Sequence, residues 1–198
     1  LARAGFAGTA ASERADLALG DPVFVDDFDE GEGPLGSRGD WTVLAGNWLV
    51  SSSQVELLPD PTGGLGAALA THPLPESDRV VVQATVTTTS DQVGLVYDYN
   101  GPTDFHRLAF NPTFAAAGIE RIEGTAVSNI ASFAPIDIPP TYEISLEFAN
   151  GELQVWIGNV VLGQVPLEDG RIPANFGLSS SNGSPASFDQ VRVYTGGI

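Results

Sequence analysis

The sequence predicts an all-β protein: an antiparallel two-sheet jelly-roll sandwich over residues 21–198, led by a non-β N-terminal arm over residues 1–20. Three observations carry this. Short apolar runs recur from residue 22 onward, separated by Gly- and Pro-containing turns at roughly 8–12-residue spacing, the rhythm of a sandwich. Residues 92–110 read as two strands around the polar turn Asn100-Gly101-Pro102-Thr103-Asp104. In them Val93, Leu95, Tyr97 and Tyr99 alternate with Gly94, Val96 and Asp98, and Phe105, Arg107 and Ala109 alternate with His106, Leu108 and Phe110. Asn150-Gly151 accept the positive φ values of a type I′ hairpin turn.

Residues 1–20 are dense in Ala and lack period-2 alternation; Ser12-Glu13-Arg14 suits a helix or a linker. They are expected to be a flexible lead-in, or an arm that packs Phe6, Leu17 and Leu19 on a neighbouring subunit. Val23-Phe24-Val25 is the first strand and runs into the acidic loop Asp26-Asp27-Phe28-Asp29-Glu30-Gly31-Glu32-Gly33. Strands follow over 41–44 and 47–50, split by Ala45-Gly46, then over 54–58 and 65–70. Residues 79–89, RVVVQATVTTT, are the clearest strand, because β-branched residues dominate and Pro is absent. Past the 92–110 hairpin, strands are predicted over 118–123, 125–132, 141–148, 152–157, 159–165, 175–180 and 187–194, with Gly158-Asn159 as a second tight turn. No segment after residue 20 has a convincing helical period.

Composition narrows the function. There are 25 acidic residues against 8 basic ones, all Arg, for a net charge of −17. That excludes nucleic acid, which needs a basic face, and an anionic membrane surface. It suits divalent cations, neutral sugars or a salty medium. The chain has no Cys, so disulfides and thiol chemistry are excluded, and no Met, which predicts a form whose start was removed. No apolar run approaches the ~20 residues of a membrane span. A secreted or cell-surface protein is expected.

Four groups of residues carry a further likeness. They are Val25-Asp26-Asp27-Phe28 with Trp41 and Gly46-Asn47-Trp48; residues 93–99 with Asp104-Phe105-His106-Arg107-Leu108; Tyr142-Glu143-Ile144-Ser145-Leu146 through Asn150-Gly151 to Val155-Trp156-Ile157-Gly158; and Phe176-Gly177-Leu178 with residues 187–193. Over about 21–195 this pattern resembles the concanavalin A-like lectin/glucanase superfamily in its laminin-G-like form. The resemblance implies two curved sheets and a role in binding glycans or proteins, in hydrolysing glucans, or in holding assemblies together. It also implies a structural Ca²⁺ between the first and last strands, which would recruit Asp189.

Candidate sites follow. Asp26, Asp27, Asp29 and Glu30 offer carboxylates to a hard cation, and Gly31 and Gly33 let the backbone wrap it. The plainer reading is a solvated acidic loop. Tyr97, Asp98, Tyr99, His106, Arg107 and Trp156 could stack a sugar ring and hydrogen-bond its hydroxyls. That demands exposed faces on Tyr97 and Trp156. The plainer reading is that the aromatics are core and that Asp98 pairs with Arg107 across the hairpin.

Catalysis is not expected. Glu120 and Glu123, three apart on a strand, point to opposite faces; the glucanase motif E-x-D-x-x-E is absent, and neither His72 nor His106 comes with G-x-S-x-G. Arg38-Gly39-Asp40 spells an integrin tripeptide, but Arg38 beside the acidic loop is expected to screen carboxylates. Asn182-Gly183-Ser184 is a valid glycosylation sequon. The expected function is an extracellular, non-catalytic, carbohydrate-binding or adhesion module. Its partner would be a glycan or an extracellular protein. The alternative is a filament or surface-layer subunit whose arm joins copies of itself.

Overall fold

The computed structural model describes residues 19–39, 41–58, 65–88, 93–101, 103–111, 116–134, 139–181 and 186–196. Phe6, Leu17 and nearly all of the arm therefore lie outside the described residues, as do Asp40 and the sequon at Asn182. The strands run in chain order as β1 Phe24–Asp26, β2 Gly33–Pro34, β3 Asn47–Ser51, β4 Gln54–Leu58 and β5 Leu65–Pro73. Then come β6 Arg79–Thr88, β7 Val93–Gly101, β8 Asp104–Asn111, β9 Ala116–Glu123 and β10 Ala126–Phe133. The last five are β11 Thr141–Ala149, β12 Glu152–Ile157, β13 Val160–Pro166, β14 Asn175–Ser181 and β15 Ala186–Thr195.

They form two antiparallel sheets. One has the order β13-β12-β11-β6-β15-β4-β3-β2, with β1 also paired to β15; the other is β10-β9-β8-β7-β14-β5. The strongly β-branched β6 sits mid-sheet between β11 and β15, where residues that pack well on both faces belong. Asn150 (φ 53°) and Gly151 (φ 76°) are both left-handed, as a type I′ turn requires. The facing sides enclose one core that includes Trp48, Val82, Leu95, Leu108, Phe110, Ile119, Ile144, Leu146, Phe148, Phe176, Phe188 and Val191.

Two strand expectations are corrected. Residues 41–44 are not a strand; only Thr42 makes an isolated bridge. Trp41 instead turns inward and donates from Nε1 to Asp26 Oδ2 at 2.6 Å. The alternation of the 92–110 hairpin holds only to Tyr97. Asp98 is left-handed (φ 50°), and the β7–β8 register jumps from Tyr97↔His106 to Gly101↔Asp104. This bulge turns Tyr99 to the opposite face, where it joins Val96, Phe105, Ile122 and Leu44 in a small second cluster.

Candidate functional site

The bulge shapes a cleft of about 670 Å³. One wall is a row across neighbouring strands, Tyr97 opposite His106 and His106 opposite Arg121. The other is the segment after β13, with Leu167, Glu168 and Asp169. Leu167 N–H donates to Gly151 O at 2.9 Å and Gly170 N–H to Leu167 O at 3.1 Å. The segment is thus tied to the Asn150-Gly151 turn, which fixes where Glu168 stands.

His106 stacks on Tyr97 with ring centroids 5.2 Å apart and planes 16° from parallel. Its Nδ1 lies 3.5 Å from Asp98 Oδ2 and its Nε2 3.7 Å from Glu168 Oε2. Arg121 Nη1 donates to Glu168 Oε1 at 2.5 Å. The contact from His106 is the largest cause holding the Asp98 carboxyl below its ordinary pKa, with Arg121 and Arg171 helping and burial opposing. Burial, then the charges of Asp98 and Glu168, push the Tyr97 phenol up, so it stays protonated.

Of the six expected ligand residues, the structure brings Tyr97, Asp98 and His106 into this cleft and leaves three elsewhere. Tyr99 lies across the sheet in the second cluster. Arg107, next to His106 in the chain, faces the other way and its Nε donates to Glu120 Oε2 at 2.6 Å, so the expected pair with Asp98 does not form. Trp156 is on β12 of the other sheet. Tyr97 is 4% exposed and Trp156 5%. Neither offers an open stacking platform: Tyr97 belongs to the core and Trp156 is buried on β12. Glu168, Arg121 and Asn100, which the sequence pattern does not single out as ligands, join the cleft. Nothing in the chain's local pattern marks 165–174 as a neighbour of β7.

The acidic loop does not assemble as expected. Asp26 is buried, and its Oδ1 accepts from Phe28 N–H (2.8 Å) and Arg38 Nη2 (3.2 Å), while Oδ2 accepts from Trp41 Nε1. Three donors already meet the Asp26 carboxylate, and Arg38 among them brings a positive charge to it. Asp189 lies apart, against Thr87 Oγ1. Among the described residues, Asp26, Asp27, Asp29 and Asp189 do not form one group of side-chain ligands. The group that does converge is Asp98, His106 and Glu168.

By sequence, no family model and no curated protein matches the chain. By structure, it is similar to the carbohydrate-binding module CBM66 from Bacillus subtilis, with 16% identity, a TM-score of 0.64, and 79% of this chain and 96% of that one covered. The exoplasmic/lumenal domain of VIP36 in its Ca²⁺/mannose-bound form gives 12% identity and a TM-score of 0.61 over 80% of this chain and 84% of that one. The endo-β-1,3-glucanase of Pyrococcus furiosus gives 12% and 0.59 over 88% and 94%. The chain has the concanavalin A-like lectin and glucanase fold. At these identities the likeness speaks for the fold, which a carbohydrate-binding module, a mannose-bound lumenal domain and a glucanase share.

Proposed function

We propose that this concanavalin A-like domain is a non-catalytic glycan-binding module acting outside the cell, and that the cleft beside Tyr97 and His106 receives the sugar. The observation that carries the reading is the cleft itself. Asp98, Asn100, Glu168 and Arg121 converge on one concave space, and such groups match sugar hydroxyls by hydrogen bonds. Recognition is polar, since no open aromatic face is offered. Its mixed charges suit a neutral sugar. The CBM66 and VIP36 likenesses point the same way.

Turnover is not part of the proposal. A glycosidase needs one carboxyl kept protonated as the acid. Asp98 is held toward its ionised form, chiefly by His106, so it is not prepared for that role. The test is a glycan array of neutral oligosaccharides followed by calorimetry. A hit should weaken roughly tenfold or more in Glu168→Gln, the scale of a lost hydrogen bond to a charged group. A folded protein that binds no array member, or binds equally after that change, overturns the reading. New reducing ends released by wild type and not by Glu168→Gln would overturn its non-catalytic half.

A further inference from the structure

We propose that one imidazole nitrogen of His106, together with the carboxylates of Asp98 and Glu168, binds a divalent ion of borderline softness, for which Zn²⁺ is the probe. One ligand atom from each residue lies within 4.8 Å of the others. The contacts between them, 3.5 Å from Nδ1 to Asp98 and 3.7 Å from Nε2 to Glu168, are too long for strong charge-assisted hydrogen bonds of about 2.7–2.9 Å. Two ligands on a tetrahedral ion with bonds of about 2.0–2.2 Å stand roughly 3.3–3.6 Å apart. The Asp98 contact already has that spacing. Glu168 keeps Oε1 on Arg121, and a turn of its Oε2, within 4.8 Å of the other two ligand atoms, closes the remainder.

A second observation points to a ligand. His106 is 8% exposed, and its Nδ1 is shut off from water without a hydrogen bond of ordinary length. A buried nitrogen left in that state is costly unless something occupies it. The surroundings then act as a supporting shell. Tyr97 fixes the plane of the imidazole by stacking, and Arg121 holds Oε1 of Glu168 while Oε2 faces His106. Imidazole favours Zn²⁺ over Mg²⁺ and Ca²⁺, which take oxygen ligands in greater number. Three protein ligands leave the fourth position of a tetrahedral ion for a water or another donor.

Chelator-stripped protein is titrated with Zn²⁺ by calorimetry and melted with Zn²⁺, Ca²⁺ or Mg²⁺ at equal concentration, without any sugar, so a failed glycan screen has no bearing on the outcome. The expected result is one saturable Zn²⁺ site and a rise in Tm that Ca²⁺ and Mg²⁺ do not reproduce. In His106→Asn and Glu168→Gln the affinity falls by more than the roughly 10–100-fold typical of losing an outer-shell partner. Circular dichroism checks the fold of each variant. Glu168→Gln, on an exposed loop, keeps the test decisive should His106→Asn unfold. No saturable site in wild type, or unchanged binding in folded Glu168→Gln, overturns the proposal.

Discussion

Asn175 closes both hydrogen bonds on the backbone of Tyr99. Tyr99 N–H donates to Asn175 Oδ1 at 2.9 Å, and Asn175 Nδ2 donates to Tyr99 O at 3.0 Å. A side-chain amide thus stands in for a missing strand residue where β7 leaves its register. The bulge at Asp98 depends on it, and with the bulge goes the placement of Asp98 over His106.

Asn175→Ala is expected to cost about 2 kcal/mol, from two hydrogen bonds at about 1 kcal/mol each. It should also speed amide exchange at Tyr99 far more than at Leu95, in the same strand. The variant touches no proposed ligand contact, yet sugar and Zn²⁺ affinity should both fall as Asp98 drifts. Equal exchange at Tyr99 before and after the change would show that the clamp is idle.

The edge of the sandwich rests on a different contact. A Cβ placed on Gly163 would sit 2.5 Å from Phe133 Cε1. Phe133, at the end of β10, therefore lies against the bare backbone of β13, and the two sheets meet there. Gly163→Ala must push the ring out, and overpacking of this kind costs typically 1–3 kcal/mol. A double-mutant cycle with Phe133→Ala measures the coupling by urea denaturation. The paired variant should lose clearly less than the sum of the two single ones, and strict additivity would refute the contact.

Asp26 gives a third test. Three donors meet its carboxylate, and Phe24, Phe28, Trp41 and Phe176 form the aromatic cluster around it. Asp26→Ala leaves a buried indole N–H and the Arg38 guanidinium without their acceptor, and a loss of about 3–5 kcal/mol is expected for breaking a buried charged pair. Trp41 fluorescence in the folded baseline should shift too. A loss below about 1 kcal/mol, as for exposed ion pairs, would place Asp26 among ordinary surface carboxylates.

Much of this architecture is legible in the chain, and its limits have physical causes. Asn150-Gly151, the β-branched run of β6 and the period-2 runs reveal strands because local sterics and one-sided burial decide them. Tyr99 reads onto the wrong face because alternation assumes an unbroken pleat, and a single left-handed residue, Asp98, breaks it. Asp26 reads as a metal ligand because sequence shows the carboxylate and hides Trp41 Nε1, fifteen residues away. Glu168 goes unnoticed for the same reason: it reaches His106 only because Leu167 hangs on the turn at Gly151.

Asp189 supplies the pH test. Its Oδ1 is buried without a hydrogen bond, and its Oδ2 is 3.4 Å from Thr87 Oγ1. Removal from water raises its pKa, and the hydroxyls of Thr87 and Ser187, which work the other way, do not cancel the effect. The folded state therefore holds this proton more tightly than the unfolded chain, whose value is about 3.9. The associated stability is fully present below that value, is lost as pH rises through the raised folded value, and does not return above it. Asp189→Asn should accordingly be more stable than wild type at pH 7, with the advantage vanishing below about pH 4. Denaturation of both proteins across that range reads it directly. Were Asp189→Asn instead less stable at pH 7, what the carboxylate gains from the Thr87 and Ser187 hydroxyls or from a bound cation would outweigh its burial, and a repeat with Ca²⁺ and with a chelator would tell the two apart.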